Sequence, residues 1–250
     1  MQRQLHELRQ VRDAAKRPRK TAVELASDLG LVLDSWQARA LTTDSNDVLL
    51  LCGRQTGKSL VAAIAALHRA LTIPGSLVLI VSPSSRQSKR LLRTVRNLLY
   101  RLPEAGTARH TGILSLALAN GSEIFALPGS EQTIRGFSAV NILILDEGAR
   151  IEDPLYEAVR PMLAVSNGKL MALSTPAGRR GFFFDAWENG QGWHRELVTA
   201  HDCSRIDRDW LERERDRIGD WVWRQEYLCE FVANDNQLFS DELILSLIHI

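Results

Sequence analysis

Cys52-Gly53-Arg54-Gln55-Thr56-Gly57-Lys58-Ser59 lies between two apolar runs. Before it stands Val48-Leu49-Leu50-Leu51, short and of strand type. After it comes Leu60 to Leu71, rich in Ala and Leu and readable as a helix. Strand, glycine-containing loop, Lys-Ser and helix, in that order, make the layout of a phosphate-binding P-loop. In such a loop the backbone N–H groups turn inward as an anion nest, and the helix N-terminus adds partial positive charge. Lys58 can then reach terminal phosphates, and the Ser59 hydroxyl can sit on a magnesium ion. The pattern G-x-x-x-x-G-K-[ST] is not met in full. Cys52 stands in its first glycine slot, and a glycine follows at Gly53. The competing explanation is a glycine turn before a helix with an incidental lysine; the flanking strand and helix argue against it.

A second apolar run, Ile142-Leu143-Ile144-Leu145, ends in Asp146-Glu147. A buried strand that delivers two acids at its C-terminal end looks like a Walker B element. Asp146 would hold magnesium, and Glu147 would orient and deprotonate an attacking water. The bland alternative is a surface Asp-Glu after a core strand. Gly168 to Leu173 is another short strand, and Ser174-Thr175-Pro176 at its end puts two hydroxyls where a γ-phosphate sensor would sit. Upstream of the P-loop strand stands Asp34-Ser35-Trp36-Gln37. A glutamine amide offers adenine a donor and an acceptor together, so Gln37 is a candidate base reader. Trp36 packs either beside the base or in the core.

Leu77 to Val81 reads as a buried strand closed by Ser82-Pro83. Ser84 to Tyr100 reads as a helix with Leu91, Leu92, Val95, Leu98 and Leu99 inside. Arg86, Lys89, Arg90, Arg93 and Arg96 share its other side, either a solvated face or a contact for a phosphate backbone. Gly112 to Ala119 and Glu123 to Leu127 are joined by Asn120-Gly121, a hairpin signal in which both turn residues are expected at positive φ. Arg135, in Thr133-Ile134-Arg135-Gly136, precedes the acidic strand. Asp207 to Gly219 reads as a charged helix and Asp220 to Phe231 as a second one, with Trp223, Tyr227 and Phe231 at i, i+4, i+8 as a packing stripe. Asn234-Asp235-Asn236 is a linker candidate, and the apolar Leu243 to Ile250 reads as the end of a chain cut short or a foreign tail.

The chain has 250 residues, 45% of them hydrophobic and 24% charged, ample for a buried core. Its 31 basic residues face 30 acidic ones, so nucleic-acid contact has to come from local patches. Cys52, Cys203 and Cys229 are too scattered for a zinc site or a disulfide framework, which fits a reduced cytosolic setting. Met1 to Lys20 is polar and basic, unlike a signal peptide, and no apolar run approaches the ~20 residues of a membrane span.

Trp36-Gln37, Gly53 to Ser59, Arg135-Gly136, Leu145-Asp146-Glu147-Gly148-Ala149, Ser174-Thr175-Pro176 and Trp223-Arg224-Gln225-Glu226-Tyr227 fall in one order. Together they resemble the large terminase subunit of tailed bacteriophages, the motor that packages DNA into proheads. The resemblance runs from about Gly30 to Phe239. It implies an α/β fold: a three-layer, RecA-like P-loop NTPase core with a mainly parallel sheet, plus a small helical subdomain. The expected organisation is a basic helical arm over residues 1–30, an ATPase core over 31–200 and a helical subdomain over 201–236. Residues 237–250 would begin a linker to a nuclease domain missing from this chain, so no cleavage is expected of it.

By the same resemblance, Gln37 matches the adenine reader. Gly53, Arg54, Gln55, Thr56, Gly57, Lys58 and Ser59 match the phosphate loop, and Ser59 and Asp146 the magnesium ligands. Glu147 matches the catalytic base, and Ser174, Thr175 and Pro176 the coupling motif. Arg54 in cis and Arg135 in trans are rival arginine fingers. The implied ligands are ATP and Mg2+. The implied partners are double-stranded DNA, a portal protein, a small terminase subunit and further copies in a ring on the portal, with a monomer alone left open. The implied setting is the host cytoplasm, away from membranes. Two other functions share parts of the motif set: a helicase-like remodeller, which generally needs a second motor domain, and a slow nucleotide switch, which Glu147 beside Asp146 argues against.

Overall fold

The computed structural model describes residues 20–102, 108–129, 134 and 136–232. Arg135, the linker candidate at 234–236, the apolar 243–250 and the arm up to residue 19 lie outside the described residues.

Strands β1 (Asp47–Cys52), β2 (Leu77–Ser82), β3 (Ala108–Thr111), β4 (Ser115–Leu118), β5 (Glu123–Pro128), β6 (Ile142–Asp146), β7 (Lys169–Ser174) and β8 (His194–Val198) form one eight-stranded sheet. Its order is β3-β4-β5-β2-β6-β7-β1-β8. All neighbours from β5 to β8 pair in parallel, and β3 and β4 join antiparallel at one edge. Parallel strands covered on both faces read as unbroken apolar runs. β6 is buried at every residue, and β1, β2 and β7 at every residue but their first.

Side-chain alternation divides each strand between two cores. Val48, Leu50, Cys52, Ile80, Ile144 and Leu173 face one side, against α1 (Ala22–Asp28), α2 (Ser35–Thr42), α3 (Lys58–Thr72) and α4 (Ser85–Tyr100). Leu49, Leu51, Val81, Leu145 and Ala172 face the other, against α5 (Asp153–Val159) and α6 (Gly181–Glu188). Three layers result. Two further helices, α7 (Arg208–Ile218) and α8 (Asp220–Glu226), carry a third, much smaller cluster.

The helix boundaries follow local chemistry. Thr21 caps α1 through a capping box with Glu24, and Ser84 caps α4. The hairpin at Asn120-Gly121 forms, but Gly121 alone takes positive φ, at 83°. Leu118 and Ser122 close a three-residue loop in which Gly121 supplies the left-handed step. Gly112 turns the chain between β3 and β4, so the expected strand from Gly112 begins only at Ser115.

The second C-terminal helix is shorter than expected. α8 stops at Glu226 because the Tyr227 carbonyl turns out to accept from Ala200 N–H, at 2.8 Å, and Cys229 takes φ 61°. Trp223 and Tyr227 stack, with centroids 4.9 Å apart, while Phe231 leaves the stripe and meets Phe184 at 5.0 Å.

Candidate active site

β1, β7 and β6 are consecutive in the sheet, so Cys52, Ser174 and Asp146 end side by side. The P-loop leaves β1 at this edge. Gln55 and Gly57 take positive φ, 63° and 99°, which bends the loop back over the start of α3. Thr56 is buried, and its hydroxyl donates to Gly53 O at 2.9 Å across the loop. Cys52 fills the first glycine slot because its side chain points down into the helix-side core. The glycine is needed one residue later: a Cβ on Gly53 would stand 3.1 Å from Tyr227 O and 3.3 Å from Glu226 O, where the end of α8 crosses the loop.

Lys58 Nζ and Glu147 Oε1 lie 3.3 Å apart, both side chains largely buried. The loop lysine and the expected base therefore open onto one cleft. Glu147 Oε2 accepts from Arg150 Nη1 at 2.9 Å and Ser174 Oγ at 3.4 Å. Arg150 Nη1 also lies 3.0 Å from Thr175 Oγ1, so the hydroxyls expected beside a γ-phosphate do stand in the cleft. Pro176 is buried behind them. Asp146 is 7% exposed. Burial, and then the Glu147 charge, push its carboxyl up to about 6, against the pull of Lys58 and Arg90.

A raised, buried carboxyl is one that a cation would stabilise. One carboxylate and the Ser59 hydroxyl on the first turn of α3 fit a magnesium ion that brings its remaining ligands as phosphate and water.

Arg54 is held by the last turn of α8. Its Nε donates to Glu226 Oε2 at 2.8 Å, and Arg54 N–H donates to Glu226 O at 2.9 Å. Burial would raise the Glu226 carboxyl, yet Arg54, with Arg150 behind it, holds it below the usual carboxylate range. Gln37 is buried and its oxygen accepts from Asp34 N–H at 2.9 Å, capping α2, while its Nε2 lies 2.8 Å from where a Cβ on Gly57 would be. The amide thus buttresses the loop, and its acceptor would have to leave the cap to read a base. Trp36 lies in the core. Sequence reasoning missed Arg150, although i+3 from Glu147 was a usable signal. It also gave no role to Glu226, nor to Arg205, which clamps Asp34 and the Thr56 carbonyl at 2.8 and 2.9 Å.

A family model described as terminase large subunit, T4likevirus-type, N-terminal, matches residues 49–246. The terminase large subunit of Thermus virus P23-45 is 30% identical over 231 aligned residues, 77% of this chain and 48% of that protein. That of Escherichia phage T5 is 27% identical over 197 residues, 74% and 44% respectively. The chain spans about half the length of the curated relatives it matches. The large terminase ATPase domain of Thermus phage P74-26 superposes with a TM-score of 0.73 at 25% identity, covering 86% of this chain and 100% of that one. A large terminase of another thermophilic bacteriophage, solved with ATP-γ-S, shares the fold at TM-score 0.68 and 14% identity, over 80% of this chain and 53% of that one.

Proposed function

This chain belongs to the terminase large subunit family, and from that premise we propose that it is an ATP-hydrolysing motor subunit that drives double-stranded DNA into a phage prohead. One observation carries the chemistry: the Lys58 ammonium and the Glu147 carboxylate meet at 3.3 Å, beside Asp146, at the ends of the parallel strands β1 and β6 that flank β7.

The steps follow from these positions. The loop N–H groups from Gln55 to Ser59 receive the phosphates, while those of Gly53 and Arg54 are held by Val198 O and Glu226 O. Lys58 exchanges Glu147 for the β- and γ-phosphates, whose charge is larger and closer to the helix N-terminus. Glu147, released on one oxygen, takes the proton of a water aimed at the γ-phosphorus. Ser59 and Asp146 would hold Mg2+, which when bound neutralises charge on the β- and γ-phosphate oxygens. Arg54 can serve the leaving phosphate only by releasing Glu226. Arg135 remains the rival finger, acting from a neighbouring subunit in a ring.

DNA contact falls to α4. Arg86, Lys89, Arg90 and Arg93 are exposed along one side. Arg96, expected with them, instead donates to the carbonyls of Gly112 and Ser115 and ties the hairpin down. The remaining four give this face the local positive charge that contact with a phosphate backbone requires. A portal protein, a small terminase subunit and a ring of copies complete the motor in the host cytoplasm. No helix among the described residues is long and apolar enough to cross a membrane.

The test is steady-state ATP hydrolysis with and without duplex DNA, alongside displacement of a triplex-forming strand. DNA stimulation and ATP-dependent displacement without strand separation are expected. Strand separation would mark a helicase instead.

A further inference from the structure

Arg150 belongs to none of the motifs, yet its guanidinium joins three parts of the molecule. It sits at the end of a single 3-10 turn, Gly148–Arg150, directly after β6. Nη1 is 2.9 Å from Glu147 Oε2 and 3.0 Å from Thr175 Oγ1, and Nη2 is 3.4 Å from Glu226 Oε1. These acceptors come from the end of β6, the end of β7 and the last turn of α8.

Glu147 needs such a partner. Its backbone is left-handed, φ 54° and ψ 46°, a region that a residue with a Cβ occupies only when its surroundings impose it. The direction of the carboxylate therefore depends on what grips its oxygens. Lys58 holds Oε1, and Arg150 with Ser174 holds Oε2. Once Lys58 turns to the phosphates, Oε2 is the only oxygen still gripped, and the fork of Arg150 is its charged partner. A planar guanidinium fixes direction in a way that a neutral hydroxyl or a lysine does not.

The guanidinium is anchored in turn. Glu226 Oε1 accepts from Nη2, while its Oε2 is held by Arg54 of the P-loop. Glu226 is itself buried, and its backbone carbonyl is bonded to the P-loop, so its carboxylate moves only when α8 moves.

We propose that Arg150 is a positioning residue for Glu147, and that through Arg150 the aim of that carboxylate depends on whether Glu226 of α8 is seated at the P-loop. The proposal rests on Glu147 being the base. In this role Arg150 acts by holding the group that meets the water.

The experiment uses the full chain at saturating duplex DNA and compares kcat and KM for ATP. Arg150→Ala should lower kcat on the order of tenfold to a hundredfold, the range for a reacting group displaced by about 1 Å. KM should stay within about twofold, because the phosphate contacts are untouched. Arg150→Lys should regain part of the loss, since charge returns without the fork; as it keeps the packing, it also serves if the alanine variant misfolds. Glu226→Gln should lower kcat several-fold with Arg150 present and have no further effect in the Arg150→Ala background. A merely structural arginine would not erase the effect of a second substitution in this way.

Wild-type kcat in Arg150→Ala overturns the proposal. So does a Glu226→Gln effect that persists in full without Arg150, which would route the link through Arg54. Glu147→Gln separates the layers: if it hydrolyses ATP normally, the base assignment itself fails, whereas if it is inactive and Arg150→Ala is not, only the role of Arg150 fails.

Discussion

The two walls of the cleft are built on different principles. One wall is the edge of the sheet: β6 and β7 end in Asp146 and Ser174 after runs that are buried almost throughout, with a core on each face. The other is the segment from Ala200 to Val232. Its buried cluster is Ala200, Leu211, Trp223 and Tyr227, and α7 buries Leu211 alone. It nonetheless delivers Glu226 to Arg54 and Arg150 and lays its backbone over Gly53. The first wall derives its rigidity from apolar area, whereas the second is seated by polar contacts, the Trp223–Tyr227 stack and, at its end, Cys229 and Phe231 against the core that holds Phe183. A site with one fixed and one weakly packed wall can bind at the first and signal through the second.

The largest effect should come from the fixed wall. Lys58→Ala should cut kcat/KM for ATP by at least ~10², read as released phosphate, since no other ammonium among the described residues pairs with Glu147. Near-normal turnover would show that the loop does not hold the nucleotide.

The next effect separates the walls by stability. Phe183 is 1% exposed in the sheet-side core. Phe183→Ala should cost about 3–5 kcal/mol of global stability in denaturant unfolding. Trp223→Ala, in the small cluster, should move the global midpoint much less while lowering the hydrolysis rate. Equal shifts would mean that the helical segment is part of the same cooperative unit.

Hydrogen exchange sharpens this further. Amides of β1, β6 and β7 should exchange only through global unfolding. That of Arg54, which joins the loop to Glu226 O, and that of Ala200, which bonds Tyr227 O within the segment, should exchange through a smaller opening. Uniform protection would contradict it.

The smallest effect is opposite in sign on the two walls. Asp146 has its folded value raised from 3.8 to about 6, so its contribution is full below 3.8 and is lost as pH rises through about 6. Glu226 is lowered from 4.5, so its contribution is present above that value and lost as pH falls through the lower folded one. Relative to Asp146→Asn, the nucleotide-free protein should lose stability on going from pH 4 to about pH 6. Relative to Glu226→Gln, it should lose stability on acidification below 4.5. The same sign for both would refute the burial argument.

The walls also differed in how far sequence disclosed them. Strands covered on both faces leave apolar runs that no loop imitates, so the ends of β1, β6 and β7, and with them Lys58, Asp146, Glu147 and Ser174, were readable from pattern alone. The resemblance added the order of the motifs. What stayed hidden depends on long-range return of the chain. The pairing of Arg54 with Glu226 spans 172 positions, and nothing local to either residue announces it. Trp223, Tyr227 and Phe231 kept helical spacing although the helix ends at Glu226, because the Tyr227 carbonyl is claimed by Ala200 from outside. Arg96 read as part of a basic face because side-chain direction at the hairpin is not encoded in spacing.

The most direct measurement pairs nucleotide binding with turnover in one variant. Glu147→Gln removes the proton acceptor and leaves the loop, Lys58 and Asp146 in place. With duplex DNA present, it should bind ATP about as tightly as the unaltered chain and release phosphate some 10²–10⁴ times more slowly. Tight binding together with phosphate release at the unaltered rate would contradict the assignment of Glu147 as the base at this cleft.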